Sequence, residues 1–129
     1  MSFSVLIVDD SETVRSIIAK TLRLVNISLA ETYAAENGEV ALRILQEKRV
    51  DLVLTDINMP VMTGVELIQR MQESEAMKGI PVVVISTEGS STRIDEFQAM
   101  GVRAHLRKPF TPERLRETIE EVMGDINEQ

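Results

Sequence analysis

The sequence has no cysteine, which removes disulfide frameworks and thiolate metal sites from consideration. It has a single histidine, too few for a multi-histidine metal centre. Its longest apolar runs are only a few residues, far short of the roughly 20 needed to span a bilayer. The N-terminus lacks the basic start and apolar stretch of a secretory signal. Basic residues are also scarce: 14 Lys and Arg against 21 Asp and Glu give a net charge of −7. They are scattered, so binding nucleic acid or an anionic membrane is electrostatically unfavourable. These absences leave a cytoplasmic protein with neither nucleic acid nor membrane as partner. The length of 129 residues suits one domain with a single core.

What is present is an alternation. Five short apolar runs are separated by helical patterns. Val5-Leu6-Ile7-Val8, Leu52-Val53-Leu54 and Val82-Val83-Val84-Ile85 are continuously apolar, as strands covered on both faces must be. Ser28 to Ala34 and Ala104 to Arg107 are weaker. Between them, Val14, Ile17, Ile18 and Leu22 form a helical stripe after a candidate N-cap at Ser11. Val40, Ala41, Ile44 and Leu45 form a second, opened by Asn37-Gly38. Gly64, Leu67, Ile68 and Met71 form a third, expected to stop before Gly79. Ile94, Phe97 and Met100 form a fourth, closed by Gly101. Thr111-Pro112 opens the fifth, whose stripe is Leu115, Ile119, Val122 and Met123. The pattern predicts an α/β fold: a doubly wound (βα)₅ parallel sheet in one domain over residues 1–129, with no output domain.

The polar residues fall at informative places. Asp9 and Asp10 close the first strand, Asp56 the third and Ser86 the fourth, and Lys108 lies just past the fifth. In open α/β sheets, ligands bind outside the carboxyl ends of the strands, where the strand order reverses. In the flavodoxin-like order 2-1-3-4-5, strands one and three are neighbours and the three acids converge. Each pair of unit charges about 4 Å apart costs about 4 kcal/mol at an effective dielectric near 20. Such a cluster needs a cation or a proton. Oxygen ligands without His or Cys suit a hard cation, Mg²⁺ above all. With a hydroxyl and a lysine beside it, the set suits a transferred phosphoryl group and a carboxylate nucleophile. Singly, each residue reads as a helix cap, a surface acid, a backbone-bonded hydroxyl or a solvated lysine. Jointly, four of five strand ends carry complementary chemistry.

Val5-Leu6-Ile7-Val8-Asp9-Asp10-Ser11, then Asp51 through Pro60, Gly64, Ser86 and Lys108-Pro109-Phe110, in that order and spacing, resemble the receiver domain of two-component response regulators. The stand-alone chemotaxis type, CheY-like, is the nearest in character. The resemblance implies that Asp56 is the phosphorylated carboxylate, and that Asp10, Asp56 and the Asn58 carbonyl bind Mg²⁺, with Asp9 acting through a bound water. It implies that Lys108, before a cis Pro109, pairs with Asp56 or its phosphoryl oxygens. Gly64 would permit the tight loop after Asp56. Ser86 and the residue three before the lysine would form the switch; that residue is His105, where the family more often has Tyr or Phe. Asn58 and Glu88 would tune hydrolysis, and Thr87, where the family usually has Ala or Gly, would slow access to Asp56. The loop from Glu88 to Ser91 would move with the switch.

The implied protein is not an enzyme in the ordinary sense: it catalyses only its own phosphotransfer and autodephosphorylation. Its expected partners are a sensor histidine kinase and a downstream protein met by helix four, strand five and helix five. A flagellar motor switch leads among the latter, and a monomer is expected. A phosphorelay intermediate or another stand-alone regulator is the alternative. A haloacid-dehalogenase-like phosphatase fits less well, because its Asp-x-Asp motif would need an acid where Asn58 stands. A flavin or nucleotide module fits poorly, since Asp9-Asp10-Ser11 has no glycine and two negative charges.

Overall fold

The computed structural model describes residues 2–87 and 91–124, the side chains of 91–94 excepted. The strands are β1 (Phe3–Val8), β2 (Leu29–Ala35), β3 (Leu52–Thr55), β4 (Val82–Ser86) and β5 (Ala104–Arg107). Helices α1 (Glu12–Leu24), α2 (Gly38–Glu47), α3 (Gly64–Gln72), α4 (Ser91–Ala99) and α5 (Pro112–Met123) alternate with them. All strand pairs are parallel, and the order is β2-β1-β3-β4-β5. This is the flavodoxin-like sheet expected from the alternation.

The central strands β1, β3 and β4 are buried at every position, because helices cover both faces of the sheet. The edge strand β2 is buried fully only at Ala35, which explains its weak apolar signal. One core half gathers Leu6, Val53, Val84, Leu67 and Phe97. The other gathers Ile7, Leu54, Ile85, Ile18 and Leu115. Alternate strand residues feed opposite halves, as the period of two requires.

The helix starts follow their caps. Ser11, Asn37 and Thr111 each accept a backbone N–H from three residues on. Thr63 and Glu66 close a capping box at α3. Several expected details shift. Ile17, placed in the buried stripe of α1, is 52% exposed. Its helical phase faces the groove beside the β5–α5 loop rather than the sheet. Helix α3 ends at Gln72, before Gly79 as expected, and turns bridge 73–80, with Lys78 and Ile80 donating to Ser74 and Met77. Strand β2 runs one residue later than expected. The Ile94 side chain lies outside the described residues, and Gly101 follows α4 at φ +94°, the left-handed geometry of a helix terminus.

Candidate functional site

The parallel ladder extends one step beyond β1 and β3, and that step carries the acids. The Asp56 N–H donates to the Val8 carbonyl at 2.9 Å, and the Asp9 N–H to the Ala35 carbonyl at 3.0 Å. Val8 stands opposite Thr55 in register, so Asp9 and Asp56 are neighbours by construction. Asp9, Asp10 and Asp56 each offer a carboxylate oxygen within 4.8 Å of the others. Asp9 is buried, Asp56 half-buried and Asp10 exposed. The cluster faces water on the Asp10 side, where a ligand can enter. An all-oxygen donor set of three carboxylates suits Mg²⁺.

Lys108 reaches the cluster from beyond β5. Its Nζ donates to Asp9 Oδ2 at 2.8 Å and lies 3.5 Å from Asp56 Oδ2. Lys108 thus pairs with Asp56, as the resemblance implied, and more closely with Asp9. Asp9 Oδ1 also accepts the Ser11 N–H at 2.9 Å, so both oxygens of this acid have protein partners. The Lys108 N–H donates to the Ser86 carbonyl at 2.8 Å, which ties the ends of β4 and β5 together. The Lys108–Pro109 bond is cis.

Burial pushes the Asp56 carboxyl above its ordinary range. The Ile57 N–H, donating to Oδ1 at 2.7 Å, and the Lys108 charge oppose that rise, while the Asp9 charge adds to it. Burial works against the Lys108 charge too, but the hydrogen bond to Asp9 and the charges of Asp56 and Asp9 hold its ammonium above the ordinary lysine range. Both values rise, but with opposite meaning for charge: burial disfavours the Asp56 anion, whereas the acids beside Lys108 favour its cation.

The loop after β3 is held close to the site. A Cβ on Gly64 would lie 2.2 Å from the Asp56 carbonyl oxygen and 2.9 Å from Ile57 Cα. Glycine is needed here for close approach of α3 to the Asp56 backbone. Val61 in this loop has φ +67°, a strained conformation for a β-branched residue. Asn58 is exposed two residues past Asp56. Glu88 and the loop segment to Ser90 lie outside the described residues, as does the Ser91 side chain.

Ser86 ends β4, 1% exposed. Its Oγ lies 3.0 Å from His105 Nε2, and the half-buried ring has Phe97 beside it. The ring is thus already turned toward Ser86. Thr87 is exposed and lines an open, mainly apolar groove of about 550 Å³ with Ile17, Ile18, Lys108, Pro109 and Phe110. Sequence reasoning missed Arg15, whose Nη1 donates to the Asp9 carbonyl at 2.6 Å, and Thr55, whose hydroxyl donates to the Asp56 carbonyl at 2.8 Å. Arg15 stands on α1 six residues past Asp9, and nothing in the local spacing marks it.

Comparison with known proteins agrees with this geometry. The sequence profile of the response regulator receiver domain matches residues 5–120. Chemotaxis protein CheY of Pseudomonas aeruginosa PAO1 is 37% identical over 123 residues, covering 95% of this chain and 98% of that protein. The solved structure of chemotaxis response regulator CheY4 of Vibrio cholerae superposes with a TM-score of 0.86 at 35% identity, covering 95% of this chain and 100% of the other. The receiver domain of a P. aeruginosa sensor histidine kinase, solved with a magnesium ion coordinated in its active-site cleft, shares the fold at 20% identity, with a TM-score of 0.82 over 97% of this chain and 100% of that one. A profile match running from β1 into α5, joined to relatives above one-third identity along nearly their whole length, leaves no gap in the assignment: the chain belongs to the response regulator receiver domain family.

Proposed function

We propose that Asp56 is the phosphoacceptor of this receiver and takes its phosphoryl group from a sensor histidine kinase. The observation that carries the proposal is the pairing of Asp56 with a half-buried lysine and two further acids at the mouth of the sheet. A carboxylate oxygen of Asp56 attacks phosphorus. The P–N bond of the donor phosphohistidine breaks as the O–P bond forms, and the departing imidazole takes a proton from solvent. The Ile57 N–H holds Oδ1, which fixes the carboxylate plane. Lys108, kept cationic by its acid neighbours, balances charge on the arriving oxygens. Ser86 and Lys108 then hold the new group.

Asp10, Asp56 and the Asn58 carbonyl are the groups that would hold Mg²⁺, with Asp9 acting through water. The engagement of both Asp9 oxygens by Ser11 and Lys108 supports an indirect place for that residue. Bound there, the ion supplies charge neutralisation for phosphoryl transfer. Asn58 and Glu88 are assigned to tuning hydrolysis, and the protein turns over no other substrate. The kinase docks along α1 and the site loops, where Ile17 is exposed beside the apolar groove. The α4–β5–α5 face meets the downstream protein. The likeness to chemotaxis proteins favours a flagellar motor switch as that partner, ahead of a phosphorelay intermediate. The protein acts as a cytoplasmic monomer. No helix among the described residues is long and apolar enough to cross a membrane.

The test is intact-mass analysis after incubation with Mg²⁺ and acetyl phosphate. One labile phosphate is expected, absent with metal chelated and absent in Asp56→Asn. An adduct that survives in Asp56→Asn would refute the assignment.

A further inference from the structure

Ser86 and His105 share one hydrogen bond, Oγ to Nε2 at 3.0 Å. Ser86 is 1% exposed. The ring stands beside Val84 in the β4–β5 register and has the Phe97 ring centroid 6.4 Å away. A hydroxyl has one proton and can accept as well as donate. An imidazole nitrogen accepts when bare and donates when it carries hydrogen. If Nε2 is bare, the Ser86 hydroxyl donates its hydrogen bond to the ring. If Nε2 carries hydrogen, the ring donates to Oγ, and the Ser86 proton is left for another acceptor. A carbon ring at this position could do neither.

We propose that His105 is a positioning residue for the phosphoryl group: it sets the direction of the Ser86 hydroxyl, so that phosphorylation of Asp56 and protonation of His105 favour each other. This rests on the reading of Asp56 as phosphoacceptor. Phosphoryl oxygens accept hydrogen bonds, so Ser86 serves them only when it donates. It is free to donate when Nε2–H occupies Oγ. The imidazolium always supplies that hydrogen, whereas the neutral ring supplies it in one tautomer only. Coupling between two binding events is reciprocal, so a phosphoryl group that gains from Nε2–H must raise the ring's affinity for its proton. Histidine is the side chain that ordinarily titrates between pH 5 and 8, so the coupling falls in an accessible range.

Other charges act on the ring and must be separated from this effect. Helix α4 carries Asp95 and Glu96, Arg107 ends β5 and Arg103 immediately precedes it. Strand β4 carries none. Beyond Ser86 lie Lys108, Asp56 and Asp9. These fields persist when the Ser86 hydroxyl is removed, and the proposed coupling does not.

His105 is the single histidine of the sequence, so its ring resonances in NMR are unambiguous. The experiment titrates them in the full chain with Mg²⁺, with and without beryllofluoride as the phosphoryl mimic, and follows complex formation by fluorine NMR. Beryllofluoride should raise the His105 midpoint by about one pH unit, a tenfold linkage, in the wild type and in Ser86→Thr. In Ser86→Ala the rise should be less than half as large. An equal rise in Ser86→Ala, or no rise in a wild-type complex that has formed, overturns the coupling and leaves the Asp56 reading intact. Failure of the wild type to form the complex counts against the Asp56 reading, and the coupling falls with it.

Discussion

At Asp56 the fold holds a carboxylate that it does not favour as an anion. Burial raises its pKa, and Lys108 and Ile57 offset only part of that. A raised folded-state value means that the wild type gains stability relative to Asp56→Asn as pH falls through that value toward the ordinary carboxylate range. In metal-free buffer at neutral pH, Asp56→Asn should therefore be more stable by on the order of 1 kcal/mol. The difference should shrink on acidification, and denaturant melts at pH 7 and pH 4 check both parts. Thr87 belongs to the same scale. It is exposed and lines the groove beside Lys108, and the resemblance gives it the part of slowing access to Asp56. Thr87→Ala should speed phosphorylation by acetyl phosphate and autodephosphorylation by about two- to tenfold, a barrier change near 1 kcal/mol; unchanged rates would remove Thr87 from the account. The acids and the lysine were legible as single letters at strand ends. The preference of Lys108 for Asp9 was not, since a difference between 2.8 and 3.5 Å leaves no trace in residue spacing.

At the scale of elements, periodicity found all ten strands and helices, and its errors have physical causes. Strand β2 is an edge with one neighbour, so its apolar pattern is diluted by Glu31 and half-exposed positions. Ile17 matched the helical stripe of α1 but stands out of the core, whereas Ile18 is 2% exposed. Ile18→Ala should cost about 2–4 kcal/mol, and Ile17→Ser about 0.5 kcal/mol or less; thermal melts of the two variants decide it. Gly64 was legible as a loop requirement, and the structure supplies a sharper reason. Its φ is unexceptional, but a side chain would collide with the Asp56 carbonyl. Because the obstructing atom is backbone, Gly64→Ala must displace the start of α3 or Asp56 itself. The expected cost is about 2–4 kcal/mol, with a loss of phosphorylation larger than the loss of folded protein. Circular dichroism read beside phosphorylation stoichiometry separates the two.

For the whole molecule, strand order unites the site. Chain segments 9–10, 56, 86 and 108 meet because β1, β3, β4 and β5 run parallel and adjacent. That convergence followed from the alternation once the flavodoxin-like order was adopted. What no linear pattern encodes is the direct contact of Ser86 with His105 across the β4–β5 pair, because it depends on which way a ring has turned. The apolar groove by α1 shares Lys108 with the acid cluster, the arrangement that the proposed relay between kinase and target would use. The central claim is that Asp56 carries the phosphoryl group, and reductive trapping tests it most directly. The chain is phosphorylated with acetyl phosphate and Mg²⁺, reduced with borohydride, digested and mapped by tandem mass spectrometry. The account predicts homoserine in place of aspartate at residue 56 and at no other site. Homoserine at position 9 or 10, or a phosphate retained elsewhere with residue 56 unaltered, would contradict it.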